Sequence, residues 1–242
     1  MTGIQCIPIV VAAGQGKRMG GQIQKQYLVL DKQPVLIRTL DQFDRHGGMD
    51  RIILVIPEKD VDVCRTQMIA PRQFTCHVHL VAGGKNRQTS VQNGIDMAMA
   101  LVRDPARCLV LIHDGVRPFV PYHLLDQLMQ TALETGGCIP VLPVTDTLKQ
   151  VDIRGQIVKT VDRSQMFRAQ TPQVFRLNLI SQAITHAVET GFEGTDDASV
   201  MEHAGFKVET IPGDPANIKL TTPQDLLLAR HILALQKSGD PS

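Results

Sequence analysis

Residues 7–27 constrain this chain more than any other stretch. An apolar run, Ile7-Pro8-Ile9-Val10-Val11, empties into Ala12-Ala13-Gly14-Gln15-Gly16-Lys17-Arg18-Met19-Gly20, and Lys25-Gln26-Tyr27 follows at once. A strand that ends in a glycine-rich basic loop suits a sheet whose ligand sits beyond the carboxyl ends of its strands. Glycine lets backbone N–H groups approach an anion closely, and lysine and arginine add charge. The loop reads as a phosphate cradle. Ala12 and Ala13 leave room for a base and ribose, Gly14 and Gly16 approach phosphate, and Arg18 and Lys25 flank the reacting phosphorus. Two cations at separate places suggest a reacting triphosphate more than a passively held cofactor. A tight turn with solvated cations is the plainer alternative.

The loop fits neither common nucleotide fingerprint. A dinucleotide motif needs Gly or Ala where Met19 stands, and a P-loop needs Gly-Lys-Ser/Thr, which is missing. An NAD-dependent oxidoreductase is therefore a distant third reading.

Short β-branched runs alternate with helical stretches over the rest of the chain. The pattern predicts strands at 4–11, 51–56, 78–81, 108–113, 138–144 and 207–211, and helices at 35–45, 59–68, 87–102, 123–134, 177–190, 196–204 and 223–235. Thr195 and Thr222 stand where helix caps are expected. The order implies a doubly wound, mostly parallel α/β sheet, a Rossmann-like arrangement, in one domain spanning residues 1–242. One segment breaks the rhythm. Two alternating runs around Arg154-Gly155 predict a hairpin at about 144–163, with too little apolar surface for a core of its own. Such an arm suits dimerisation, and an ordinary surface hairpin is the alternative.

Composition excludes several functions. With 25 basic and 24 acidic residues, the net charge of +1 offers no broad basic face for nucleic acid. Trp is absent and aromatics make up 4%, against base-stacking platforms. No apolar stretch approaches the ~20 residues of a membrane span, and the first apolar run is too short for a signal peptide. The five cysteines are odd in number and lack CxxC spacing, which suits buried thiols in a reducing cytoplasm.

Three further constellations carry chemistry. Gly83-Gly84-Lys85-Asn86-Arg87-Gln88-Thr89-Ser90 leads into a helix whose N-terminus, with Ser90 one turn in, suits the acceptor edge of a nucleobase. A plain strand–helix turn would look the same. His113-Asp114-Gly115-Val116-Arg117 ends a buried strand. There Asp114 is a natural Mg²⁺ ligand, and Arg117 offers a planar fork to a phosphate. An Asp–Arg ion pair closing the loop is the alternative. The fourth set is Thr147, Arg163, Thr171-Pro172-Gln173, Thr195-Asp196-Asp197 and Asn217-Ile218-Lys219, each ordinary alone. His77 and His79 lack zinc-site spacing.

Together these motifs, in order, with Val161-Asp162-Arg163 and Asp146-Thr147, resemble the 2-C-methyl-D-erythritol 4-phosphate cytidylyltransferase family over nearly the whole chain. The resemblance implies transfer of the cytidylyl group of CTP to methylerythritol 4-phosphate with release of pyrophosphate, in the non-mevalonate isoprenoid pathway. It implies that Arg18 and Lys25 stabilise the transition state. Arg163 and Lys219, counted with them as catalytic, position the acceptor phosphate. Asp114 sits by Mg²⁺ and substrate, and Thr147 and Thr171 help hold the acceptor. Ala12, Ala13, Gly14, Gly16, Gly84, Ser90 and Gly115, with Arg87, line the CTP site. It also implies a homodimer whose arm reaches the neighbour's site, bringing Thr147 and Arg163 in trans. The chain carries Gly115-Val116 where many members have two alanines, so ribitol 5-phosphate or another polyol phosphate is the alternative acceptor. A nucleotide-binding regulator without turnover is the alternative from another class. The chain ends at Ser242, just past its last helix, so no fused cyclodiphosphate synthase is expected.

Overall fold

Strands and helices alternate along residues 3–14 and 27–238, which this computed structural model describes. In order they are β1 (Gln5–Val11), β2 (Val29–Leu30), β3 (Gln33–Pro34), α1 (Val35–His46), β4 (Arg51–Ile56), α2 (Val61–Val63), β5 (His77–Ala82), α3 (Arg87–Leu101), β6 (Cys108–Asp114), α4 (Tyr122–Thr135), β7 (Gly137–Pro143), β8 (Leu148–Val151), β9 (Ile157–Val161), β10 (Phe167–Ala169), β11 (Gln173–Arg176), α5 (Leu177–Thr190), α6 (Asp197–His203), β12 (Glu209–Pro212) and α7 (Pro223–Ser238).

The central strands are buried on both faces, and their side chains alternate between two cores. Cys6 and Val10 of β1, Leu54 of β4 and Leu111 of β6 pack with Leu40 and Phe43 of α1 and Leu125 of α4. Ile7 and Ile9, Val55, and Val110 and Ile112 face the other way, onto Val91 and Ile95 of α3 and Ile180 and Ala183 of α5. Each such side chain removed from water contributes roughly 1.5–3 kcal/mol. A third cluster joins Leu30, Val35, Val116, Phe119 and Leu220 to Ala229 of α7. Gly47 and Gly136 close α1 and α4 in the left-handed conformation, at φ 76° and 93°.

The main sheet runs β10-β7-β11-β6-β1-β4-β5, with β12 beside β7. Strands β6, β1, β4 and β5 are parallel neighbours, so their carboxyl ends open on one edge. The expected parallel core is present, but the sheet is mixed. Strand β11, which the sequence pattern did not show, lies antiparallel between β6 and β7. Its four residues are too few to display a period. The expected helix at 59–68 is a short 3₁₀ turn at Glu58–Asp60, α2, and a π-helix over Cys64–Ile69.

The caps divide. Thr222 Oγ1 accepts from Asp225 N–H, as expected at the start of α7. Helix α6 is capped by Asp196 rather than Thr195: its carboxylate accepts from Ser199 N–H at 2.9 Å, and Ser199 Oγ accepts from Asp196 N–H. The hairpin forms as β8 and β9, paired antiparallel, with Ile153, Ile157 and Val158 exposed. All five cysteines are buried and unpaired. Burial pushes the Cys6 and Cys138 thiols up to about 11 and Cys108 up to about 12, so they stay protonated and inert.

Candidate active site

Backbone hydrogen bonds prolong the central ladders past the strand ends. Ala12 N–H donates to Val55 O at 2.8 Å, Gly115 N–H to Val11 O at 2.9 Å, and Gly83 N–H to Ile56 O at 2.7 Å. These bonds draw the loops after β1, β5 and β6 into one floor of small residues. A Cβ on Gly115 would stand 2.8 Å from the Ala12 Cβ, and one on Gly83 would strike the Ala13 Cβ. The floor therefore packs without room for a larger side chain. Gly14 continues it, with no atom of the other described residues within 4 Å of a Cβ placed there. Val116 points away, 8% exposed, into the third apolar cluster. The departure at Gly115-Val116 is thus a matter of packing for Val116.

Asp114, at the end of β6, carries the charge of the site. Its Oδ2 lies 2.9 Å from Lys219 Nζ and 3.3 Å from Arg117 Nε. Burial opposes ionisation, but Lys219, Arg87 and Arg117 outweigh burial and hold the carboxyl well below the usual carboxylate range. The group is a carboxylate near neutral pH. Arg117 Nη1 donates to Asn217 O at 2.8 Å, so the loop that presents Lys219 is tied to the β6 loop. The Asp–Arg pair given as the alternative for this loop is present, and Lys219 joins it.

His113 and Thr171 complete the wall behind Asp114. Burial holds the imidazole of His113 well below its ordinary value, at about 4, so the ring is neutral near pH 7. Nε2 faces Arg117 O at 2.9 Å and must carry the proton. Nδ1 therefore accepts from the Thr171 hydroxyl at 3.1 Å, and Thr171 Oγ1 accepts from Asp114 N–H at 3.1 Å. Thr171 has one hydroxyl proton, and it is committed to His113. Asn217, fully buried, donates from Nδ2 to Thr171 O at 2.8 Å. His113 and Asn217 do more here than their motifs announced. The signal was a polar residue at the end of the otherwise apolar run Cys108–Ile112.

The Gly83-Gly84 loop is braced from inside. Ser90 Oγ accepts from Gly84 N–H at 3.0 Å and donates to Asn86 O at 2.8 Å. Its proton stays within its own turn, and Ser90 shapes the loop. Asn86 and Thr89 form a capping box at the start of α3. Arg87 is held by Asp197 through two bonds, Nη1–Oδ1 at 2.8 Å and Nη2–Oδ2 at 2.6 Å. Burial works against the Arg87 charge, and the Asp197 carboxylate more than offsets it. Gln173 Oε1 accepts from Asp197 and Ala198 N–H at 3.0 and 2.9 Å, fastening α6 to β11. Arg87, expected to line the CTP site, forms an ion pair joining α3 to α6 and keeps a third of its side chain exposed.

Thr147 and Arg163 stand exposed at the base of the hairpin, and an Arg163 N–H donates to Thr145 O. Among the described residues, neither forms a hydrogen bond or ion pair with Asp114 or Lys219. Gly16, Arg18 and Lys25 lie outside the described residues. Also among the described residues, no group of three His, Cys, Asp or Glu side chains could hold a metal, and no helix is long and apolar enough to cross a membrane.

The family model described as IspD, 2-C-methyl-D-erythritol 4-phosphate cytidylyltransferase, matches residues 6–235. A 2-C-methyl-D-erythritol 4-phosphate cytidylyltransferase of Syntrophotalea carbinolica is 45% identical over 225 residues, covering 93% of this chain and 94% of that one. One of Bacillus licheniformis is 43% identical over 232 residues, covering 96% and 97%. The crystal structure of 4-diphosphocytidyl-2C-methyl-D-erythritol synthase from Anaerococcus prevotii superposes with a TM-score of 0.79 at 29% identity, covering 96% of this chain and 99% of that one. A carboxylate flanked by two cations at the mouth of a small-residue floor, carried on a chain matched this fully, leads to one assignment: this chain belongs to the 2-C-methyl-D-erythritol 4-phosphate cytidylyltransferase family.

Proposed function

We propose that this chain is a nucleotidyltransferase that joins CTP to 2-C-methyl-D-erythritol 4-phosphate, releasing pyrophosphate and forming 4-diphosphocytidyl-2-C-methyl-D-erythritol for isoprenoid precursors. The observation that carries this reading is Asp114, ionised and flanked by Lys219 and Arg117, beside the Ala12–Gly115 floor. The nucleophile is a phosphate monoester oxygen, already anionic, so no strong base is needed. The obstacle is repulsion between two polyanions, which positioned cations remove.

Lys219 meets the acceptor phosphate, with Arg163 and Thr147 supplied by the arm of a second copy. Arg18 and Lys25 meet charge growing on the α-phosphoryl oxygens and the leaving pyrophosphate. A divalent cation such as Mg²⁺ fits Asp114, an ionised carboxylate at the strand end, with its other ligands supplied by phosphate and water. When bound, that ion neutralises triphosphate charge. The chain works as one domain over residues 1–242 with the arm at about 144–163, as a homodimer, in a reducing cytoplasm that suits five buried thiols.

Pyrophosphate release from CTP and Mg²⁺ with methylerythritol 4-phosphate, against ribitol 5-phosphate, tests the acceptor. Turnover with methylerythritol 4-phosphate is expected. Faster turnover with ribitol 5-phosphate would transfer the assignment to that acceptor, and no release with any polyol phosphate would leave a nucleotide binder. Val116 sits in an apolar cluster, so it gives no ground for the ribitol reading.

A further inference from the structure

We propose that His113 is a positioning residue for the acceptor-phosphate end of the site, acting through Thr171 and Arg117 rather than by touching substrate. The proposal rests on the cytidylyltransferase reading above. His113 is fully buried, so it makes no contact with a ligand. Its ring stands edge-on to Phe43, with centroids 5.2 Å apart, and both nitrogens are engaged.

The bonds around it close into a circuit. Arg117 O accepts from His113 Nε2–H, and His113 Nδ1 accepts from the Thr171 hydroxyl. Thr171 O accepts from Asn217 Nδ2–H, and Asn217 O accepts from Arg117 Nη1–H. Three distant segments, at 113–117, 171 and 217, are thereby locked to one another. Asp114 hangs on the circuit through its N–H to Thr171 Oγ1, and Lys219 lies two residues beyond Asn217. Every donor in the circuit has one acceptor, so only the Nε2–H tautomer satisfies it. A phenyl ring in the same space would leave the Thr171 hydroxyl proton without its acceptor and the Arg117 carbonyl without its His113 donor. The loops bearing Arg117 and Lys219 would then lose their common reference, and the acceptor phosphate would be misplaced. The CTP floor at residues 12–14 and 83–84 is joined by other bonds, and Gly115 is held to it by its own N–H to Val11 O, so the floor would stand.

The experiment is a steady-state comparison of wild type, His113→Phe, His113→Asn, Thr171→Val and the His113→Phe/Thr171→Val double variant. His113→Phe is expected to raise the KM for the polyol phosphate about tenfold while the KM for CTP stays within about twofold. Asn, whose amide oxygen can take the place of Nδ1, is expected to recover part of the loss. The double variant is expected to be no worse than the worse single one, since both break the same circuit. Equal shifts in both KM values, or multiplicative effects in the double variant, overturn the proposal. Imidazole ¹H–¹⁵N NMR of wild type, without substrate, is expected to show the Nε2–H tautomer. An Nδ1–H ring or an imidazolium near pH 7 overturns the proposal even if His113→Phe fails to fold. Wild type that releases no pyrophosphate overturns the functional reading and this proposal with it, whereas wild-type turnover with unmoved variant constants overturns the proposal alone.

Discussion

Lys219 Nζ lies 2.9 Å from Asp114 Oδ2, and the same oxygen lies 3.3 Å from Arg117 Nε. One nearly buried carboxylate thus gathers two cations at the proposed phosphate position. Lys219 is the more exposed, with 42% of its side chain open to solvent, and can turn from Asp114 to a ligand without unfolding anything. Lys219→Ala should lower kcat/KM for the acceptor by about 10²–10³, while Arg117 still pairs Asp114 and keeps the chain folded. Near-normal kcat/KM would remove Lys219 from the machinery.

Lys25 is assigned the charge that grows on the transferred group. Lys25→Ala should lower kcat by about 10²–10³. Single-turnover rates at saturating CTP measure it directly, and an unchanged rate would end that assignment. Arg163→Ala should instead raise the KM for the alcohol phosphate more than that for CTP, whereas equal shifts would argue against its role.

His113 should make the fold sensitive to mild acid. Its folded imidazole titrates at about 4, below the ordinary histidine value. As pH falls from about 6.5 towards 4, the unfolded chain binds a proton that the folded chain refuses. This contribution is complete above that window, is lost within it, and amounts to up to roughly 3 kcal/mol. Urea titrations of wild type and His113→Phe across the window should show curves that converge towards acid pH. Parallel curves would mean that the imidazole is not buried neutral.

The Arg87–Asp197 pair should cost more to break from one side than from the other. Asp197 is 4% exposed at its side chain, whereas Arg87 is 33% exposed and can regain water. Arg87→Ala strands the carboxylate and should destabilise by about 3–5 kcal/mol, with Asp197→Ala costing less. Thermal unfolding of both variants decides the order. The reverse order would show that water reaches Asp197 more readily than the guanidinium.

The hairpin arm exposes Ile153, Ile157 and Val158 together, at 103%, 65% and 60%. A second copy covering them would account for exposed apolar residues on a hairpin without a core of its own. Ile153→Asp/Ile157→Asp should convert a dimer to a monomer in sedimentation and reduce turnover with it. Wild type that sediments as a monomer at micromolar concentration would dispose of the arm as a dimer contact.

Much of this was legible in the residue string. The runs 6–11, 52–56 and 108–112 are continuously apolar because their strands are buried on both faces, and continuity of that kind survives without context. Glycines after strands marked the ligand edge for the same local reason. Strand β11 was not legible, since its place between β6 and β7 is decided by what lies beside it. The pairing of Arg87 was hidden for a related reason: its partner, Asp197, is more than a hundred residues away.

The chain's own order of residue types determined the sheet, the small-residue floor, the projecting hairpin and the presence of a carboxylate and cations at strand ends. Those follow from local chemistry: backbone propensity, side-chain size and charge. Which partner each polar group takes was decided only by folding. Thr171 yields its proton to His113, Ser90 keeps its own turn, and Asp114 gathers Lys219 and Arg117. A hydrogen bond or ion pair depends on distances of a few ångströms between segments far apart in the chain, and only the packed sheet sets those distances.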